Sequence, residues 1–143
     1  YKHKSLSAYG YEYLLDVNVK EVSYFQLKIQ GSTGAAIGLF SDIKTTFAGE
    51  KFYEFVLGTS ANTALLKKEG LGTTIASGSM SLDSTQWLPF WLSWANHTIA
   101  LGTGFEVGKN TIFSYADTTD QIAINYIAVS SSNGRITQFY YFN

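Results

Sequence analysis

Carboxylates, amides and aromatic rings carry whatever chemistry this sequence can do, because the usual catalytic partners are scarce. Histidine occurs only at His3 and His97, and cysteine is absent. A Ser-His-Asp arrangement needs an imidazole held between a hydroxyl and a carboxylate. His3 lies near the start of the chain and His97 in an expected turn, so both read as solvated surface residues. No His-x-x-x-His pair, cysteine cluster or dense acidic loop offers a metal site. Asp117 and Asp120 share one turn and could help hold a cation such as calcium, although turn-forming aspartate explains them more simply. No cofactor is expected, and calcium lacks support. The run Gly102-Thr-Gly104-Phe-Glu-Val-Gly108 is wrongly spaced for a nucleotide loop, and no helical pattern follows it. Small turns between strands explain those glycines.

The rings are more promising. In Phe90-Trp91-Leu92-Ser93-Trp94, alternation puts Phe90, Leu92 and Trp94 on one face and Trp91 and Ser93 on the other. An exposed Trp91 could stack on a sugar; packing between sheets or under a loop is the plainer alternative. Tyr9, Tyr11 and Tyr13 alternate to present one tyrosine face, which Tyr140 and Tyr141 could join. Glu54 shares a face with Phe52 and Val56, as a ligand contact or, preferably, as a cross-strand partner of Lys67 or Lys68. Asn96-His97-Thr98 is an N-glycosylation acceptor sequence in an expected hairpin turn. It counts modestly toward a secretory route.

These residues must be held by strands. Residues 22–30 alternate, with Tyr24, Gln26 and Lys28 on one face and Phe25, Leu27 and Ile29 on the other. Residues 5–19 read as one strand, or as two broken near Gly10. Further strands are expected over 35–40, 52–57, 62–67, 73–80, 87–94, 98–102, 111–115, 121–130 and 136–142, separated by Gly, Asn, Ser and Asp. Residues 61–68 could instead manage a helical turn or two. The single proline, Pro89, cannot donate to a ladder, so that strand should start at Phe90. The expected fold is all-β, one antiparallel sandwich domain over 1–143 with about ten strands, jelly-roll-like or concanavalin-like.

Composition narrows the partners. The 143 residues suit one domain, and 45% apolar with 16% aromatic content is too hydrophobic for disorder. A net charge of −1 gives no electrostatic reason to expect nucleic acid or an anionic membrane. No run reaches the roughly 18 apolar residues that a membrane helix needs. The start at Tyr1 rather than Met reads as a processed chain or an excised domain.

Phe52-Tyr-Glu-Phe-Val-Leu-Gly58, the nearby Asn62-Thr63, Phe90-Trp91 through Trp94, Ile99-Ala-Leu-Gly102 and Tyr126-Ile-Ala-Val-Ser130 occur in the order of a known family. Over about 22–130 the chain resembles the farnesoic acid O-methyltransferase-like domain, with 5–19 and 136–142 as flanking strands. It departs from the pattern at His97, where the turn commonly carries Gly, and near Asn133-Gly134, which lacks a clear aromatic-Gly ending. The resemblance implies an extracellular β-sandwich of invertebrate secreted and surface proteins, similar to lectin domains. The name implies methyl transfer, yet no strand–Gly-rich turn–helix unit is present to hold an adenosyl methyl donor. The expected function is a non-catalytic extracellular recognition module for carbohydrate or a glycosylated surface. The alternatives are a structural or self-associating interaction domain and, last, a farnesoic acid methyltransferase. Sugar-binding candidates, placed in loops or at strand ends, are Asp42, Lys44, Asp117, Asp120, Asn133 and Arg135. Among them Asp117 is expected to matter for ligand and little for stability.

Overall fold

Short runs of alternating apolar residues can bury one side only by facing a second layer, and that requirement generates the architecture. The computed structural model describes residues 2–44, 50–68, 72–131 and 137–141. Among these the chain forms β1 (Lys2–Leu6), β2 (Glu12–Tyr13), β3 (Tyr24–Gly31), β4 (Ala35–Phe40), β5 (Tyr53–Leu57) and β6 (Thr63–Lys68). It continues with β7 (Thr74–Ser79), β8 (Leu88–Ser93), β9 (Thr98–Thr103), β10 (Thr111–Ala116), β11 (Tyr126–Ser131) and β12 (Thr137–Tyr141). Sheet A has the order β1-β12-β3-β8-β9-β10, and sheet B the order β2-β11-β4-β5-β6-β7. All neighbours pair antiparallel. The expected all-β sandwich is the fold observed.

The core lies between the sheets. Phe25, Leu27 and Ile29 of β3 and Phe90 and Leu92 of β8 face Ile37, Leu39, Phe55 and Val129 of sheet B in one buried cluster. Each fully buried Leu, Ile or Phe contributes roughly 1.5–3 kcal/mol. The two open edges are managed differently. At one, β7 and β10 approach so closely that a Cβ on Gly78 would lie 2.6 Å from the Ile112 carbonyl oxygen. At the other, Lys4 pairs with Glu12 at 2.5 Å and Lys2 with Asp16 at 3.7 Å. Burial and the Asp16 carboxylate there push the Tyr141 hydroxyl up to about 12.

Several local expectations change. The first run does divide near Gly10: β1 joins sheet A and β2 sheet B, and the Gly10 N–H donates to Ser130 Oγ at 3.0 Å. Residues 61–68 form no helical turn, because Thr63–Lys68 is taken up as β6 between β5 and β7. The strand expected over 121–130 begins only at Tyr126. The preceding residues must carry the chain from β10 in sheet A to β11 in sheet B, so they cannot stay in a ladder. Pro89 lies inside β8 rather than before it. Carbonyl and amide of one strand residue point the same way, and the Pro89 carbonyl accepts from Gly104 N–H at 2.9 Å. Its missing donor therefore faces the β9–β10 loop, and the ladder to β3 loses nothing.

Candidate functional site

The sequence-derived candidates separate in space. Asp117 is buried, 3% exposed, at the end of β10. Both its oxygens meet the Lys68 ammonium, at 2.9 and 3.0 Å, and the Tyr53 hydroxyl donates to it. Lys68 also donates to the Thr119 carbonyl, so its ammonium fills the place that a bound cation would take in this turn. Burial alone would raise the Asp117 carboxyl; hydrogen bonds from Tyr53 and Lys68 outweigh it and hold the carboxyl below its ordinary range. The carboxylate is committed inside the protein, contrary to the expectation that it costs little stability. Among the described residues no group of three or more His, Cys, Asp or Glu could hold a metal ion.

Two other candidates do meet. Lys44 and the exposed Asp120 line an open cleft of about 570 Å³ with Ser41, Glu50, Lys51 and Gln121. Lys44 is paired with Glu50 at 3.3 Å, and two lysines balance two carboxylates around the rim. That cleft selects no charge. Asp42 is exposed beside it in sequence, with Ser41 Oγ 3.4 Å away. Asn133 and Arg135 lie outside the described residues. Asn96 is exposed in the turn between β8 and β9, in the left-handed region at φ 53°. His97 beside it is only partly exposed, with Nδ1 buried and without a hydrogen-bond partner among the described residues, so the surface reading of this histidine is corrected.

The tyrosine face expected near the N-terminus exists, on the outside of sheet B. Tyr11 and Tyr13 pack on Phe40, and Phe40 stacks on Phe52 at 4.3 Å. Tyr140 does not join them, because β12 belongs to sheet A; Tyr141 points into the core. Under the tyrosines sits Glu54, 1% exposed and opposite Lys67 in register, accepting from the hydroxyls of Tyr9 and Tyr11. Burial pushes its carboxyl up, against those hydrogen bonds and the Lys67 charge. A raised native pKa means that stability falls as pH climbs from the ordinary carboxylate range through the raised value. Glu54→Gln keeps an acceptor oxygen and removes that slope. Its melting temperature should therefore gain on the parent's between about pH 4 and pH 7, measured by thermal unfolding. A gap that stays constant with pH would rule out the raised Glu54 carboxyl.

The outside of sheet A gathers rings and amides. Strand register sets His3 beside Tyr140 and Tyr140 beside Lys28; one step along, Gln138 lies beside Gln30. Trp87, just before β8, sends its ring across β3 to Tyr140, with centroids 4.4 Å apart and planes inclined at 35°. His3 stands 5.0 Å from Tyr140 and 6.1 Å from Trp87. Trp87 and Tyr140 are half-buried and His3 is exposed, so the three rings form one patch open to solvent. Beside it runs a polar relay. Gln138 Nε2 donates to Gln30 Oε1 at 3.1 Å, leaving Gln138 Oε1 to accept from His3 Nε2 at 3.1 Å. Gln30 ends the relay with amide donors to offer, which hydroxyl groups can accept.

Beyond Lys28 the β9–β10 loop folds down on the same sheet. Gln26 donates to the Phe105 carbonyl, and Trp91 Nε1 to the Lys109 carbonyl at 2.8 Å. Trp91 is 1% exposed beneath that loop, so it props the loop and offers no stacking face. The Phe105 ring lies 5.5 Å from the Lys28 ammonium. The family model described as farnesoic acid O-methyl transferase matches residues 7–143, more of the chain than its ordered motifs span. The chain belongs to this family.

No curated protein matches the sequence. Three solved structures share the fold of this farnesoic acid O-methyl transferase family member. A carbohydrate-binding module of Bacillus subtilis, CBM66, superposes with a TM-score of 0.57 at 12% identity, covering 96% of this chain and 78% of its own. The Caenorhabditis elegans galectin LEC-6 gives 0.54 at 8% identity, covering 100% and 92%. The CBM40 of a Ruminococcus gnavus sialidase gives 0.53 at 10%, covering 99% and 89%. At such identities the likeness is one of fold.

Sequence reasoning overlooked the patch on this family member because it weighed carboxylates in loops. A signal was present: Lys28 continues the polar face of β3 begun by Tyr24 and Gln26, and Trp87 immediately precedes a strand that runs beside it. What no periodicity reveals is that β12, from the far end of the chain, inserts between β1 and β3.

Proposed function

We propose that this domain is a non-catalytic carbohydrate-recognition module that reads its ligand on the outer face of sheet A. One observation carries this: the solvent-open rings of Trp87, Tyr140 and His3 stand beside an oriented amide relay of Gln138 and Gln30. A pyranose presents an apolar face to aromatic rings and a rim of hydroxyls to amides, so flat rings and amides side by side suit it. The family's description names methyl transfer, but the glycine-rich segment supports a different use. Gly104 and Gly108 adopt positive φ in the loop that covers Trp91, rather than opening a helix toward a cofactor. The acceptor sequence Asn96-His97-Thr98, with its Asn96 exposed, supports a place outside the cell. Among the described residues no helix is long and apolar enough to cross a membrane.

A glycan array probed with the purified domain tests the reading. Specific hits are expected, and Trp87→Ala should weaken them at least about tenfold, or about 1.4 kcal/mol, while thermal unfolding shows the variant folded. A blank array from a folded domain would sink carbohydrate recognition and leave chain association as the better account.

A further inference from the structure

We infer that the carbohydrate read on this face is acidic, a carboxylated or sulfated sugar whose anion is taken by Lys28. The inference rests on the reading of sheet A as the carbohydrate face and adds the class of ligand. Charge at the strand positions of that face is one-sided, and the β9–β10 loop that folds over it carries one charge of each sign, Glu106 and Lys109. The outward positions are His3 and Ser5 on β1, Gln138 and Tyr140 on β12, Tyr24, Gln26, Lys28 and Gln30 on β3, and Pro89, Trp91 and Ser93 on β8. On β9 and β10 they are Thr98, Ala100, Gly102, Ser114 and Ala116. No carboxylate occurs among them.

Lys28 also differs from four other lysines of the chain. Lys2, Lys4, Lys44 and Lys68 each have a carboxylate within ion-pair distance. Lys28 has none among the described residues; its ammonium lies against the Phe105 ring, and its backbone is flanked in register by Tyr140 and Pro89. The ammonium of this half-buried lysine, among rings and amides and with no carboxylate within ion-pair distance among the described residues, is placed to receive an anion from outside. The aromatic patch begins at its register neighbour Tyr140 and continues through Trp87. A sugar stacked on those rings can therefore present a ring substituent to Lys28 and hydroxyls to Gln30. The net charge of −1 for the whole chain keeps this attraction local and argues against polyanion binding over a broad basic surface.

Calorimetric titration of the intact domain with three probes tests this: a neutral N-acetylglucosamine oligosaccharide, a hyaluronan oligosaccharide bearing only carboxylates, and a chondroitin sulfate oligosaccharide. At least one acidic probe should bind about tenfold or more tightly than the neutral one, a charge-assisted contact being roughly twice as strong as a neutral one. Hyaluronan binding assigns the carboxylate, and binding of the sulfated probe alone assigns the sulfate. Lys28→Gln should abolish the preference and Trp87→Ala should weaken every probe. Raising salt to about 0.5 M should weaken the acidic probe and spare the neutral one, which tests the charge without any variant. Neutral binding that equals or exceeds acidic binding, or a preference that survives Lys28→Gln, would overturn the acidic ligand and leave carbohydrate recognition standing. Failure of all three probes and of the array would remove both.

Discussion

Replacing Asp117 with Ala should cost about 3–5 kcal/mol of stability, the usual penalty for stranding one member of a buried ion pair. For a chain of this length each kcal/mol moves the melting temperature by roughly 2–4 °C or somewhat more, so the drop should be roughly 6–20 °C. The cause is what remains behind. Lys68 is only 14% exposed, and it would keep its charge while losing both carboxylate oxygens. Tyr53, buried in the core, would lose the acceptor of its hydroxyl, and that hydroxyl also accepts from the Ile122 N–H at 3.3 Å. The crossover from β10 to β11 hangs on these contacts. Asp117→Asn keeps an acceptor for Tyr53 and should fall between parent and Ala.

The pH dependence has a definite sign. The native Asp117 carboxyl is depressed, so its contribution is complete above the ordinary carboxylate range and is lost as pH falls through the lowered value. Denaturant unfolding of parent and Asp117→Ala at neutral and strongly acid pH should show the two converging in acid. Equal stabilities at neutral pH would refute the structural role and return Asp117 to the candidates for binding.

Asp117 also shows how far the sequence could be read. Alternation in residues 22–30 is visible because one side of β3 is core and the other is not, and the same holds for Phe90, Leu92 and Trp94. The two-sheet sandwich follows from such strands together with their turns. The fate of a single carboxylate does not. Asp117 meets Lys68 across 49 positions of sequence and Tyr53 across 64, and nothing local in Ala116-Asp117-Thr118 distinguishes a buried ion pair from a surface turn. The aromatic patch on sheet A has the same difficulty, since His3 and Gln138 are 135 residues apart and meet only because β12 pairs with β1. Trp91 illustrates the middle case. Alternation placed it on the outward face correctly, but whether a loop lay over it depended on seven residues, 104–110, with no periodicity of their own.

That covered tryptophan gives the second large effect. Trp91→Ala should cost about 3–5 kcal/mol, since it empties a site that is 99% hidden beneath the β9–β10 loop and breaks the bond to the Lys109 carbonyl. Gly102 faces it from β9, at its register position, and a Cβ built there would lie only 2.2 Å from the indole ring. Gly102→Ala should therefore destabilise through overpacking, by about 1–3 kcal/mol. The two substitutions should not add. With the indole gone the new methyl has room, so Gly102→Ala introduced into Trp91→Ala should cost little, and it could recover part of the loss by filling the void. Chemical denaturation of the four members of this cycle measures the coupling, which should be 1 kcal/mol or more in the sense of relief. Simple additivity would mean that the ring does not rest on Gly102. Because Trp91 holds the loop that carries Phe105 against Lys28, the same variants should also weaken glycan binding without touching a residue that meets the ligand. Normal binding by a folded Trp91→Ala domain would show that the loop is no part of the recognition face, and would confine that face to the rings and amides of β1, β3, β12 and Trp87.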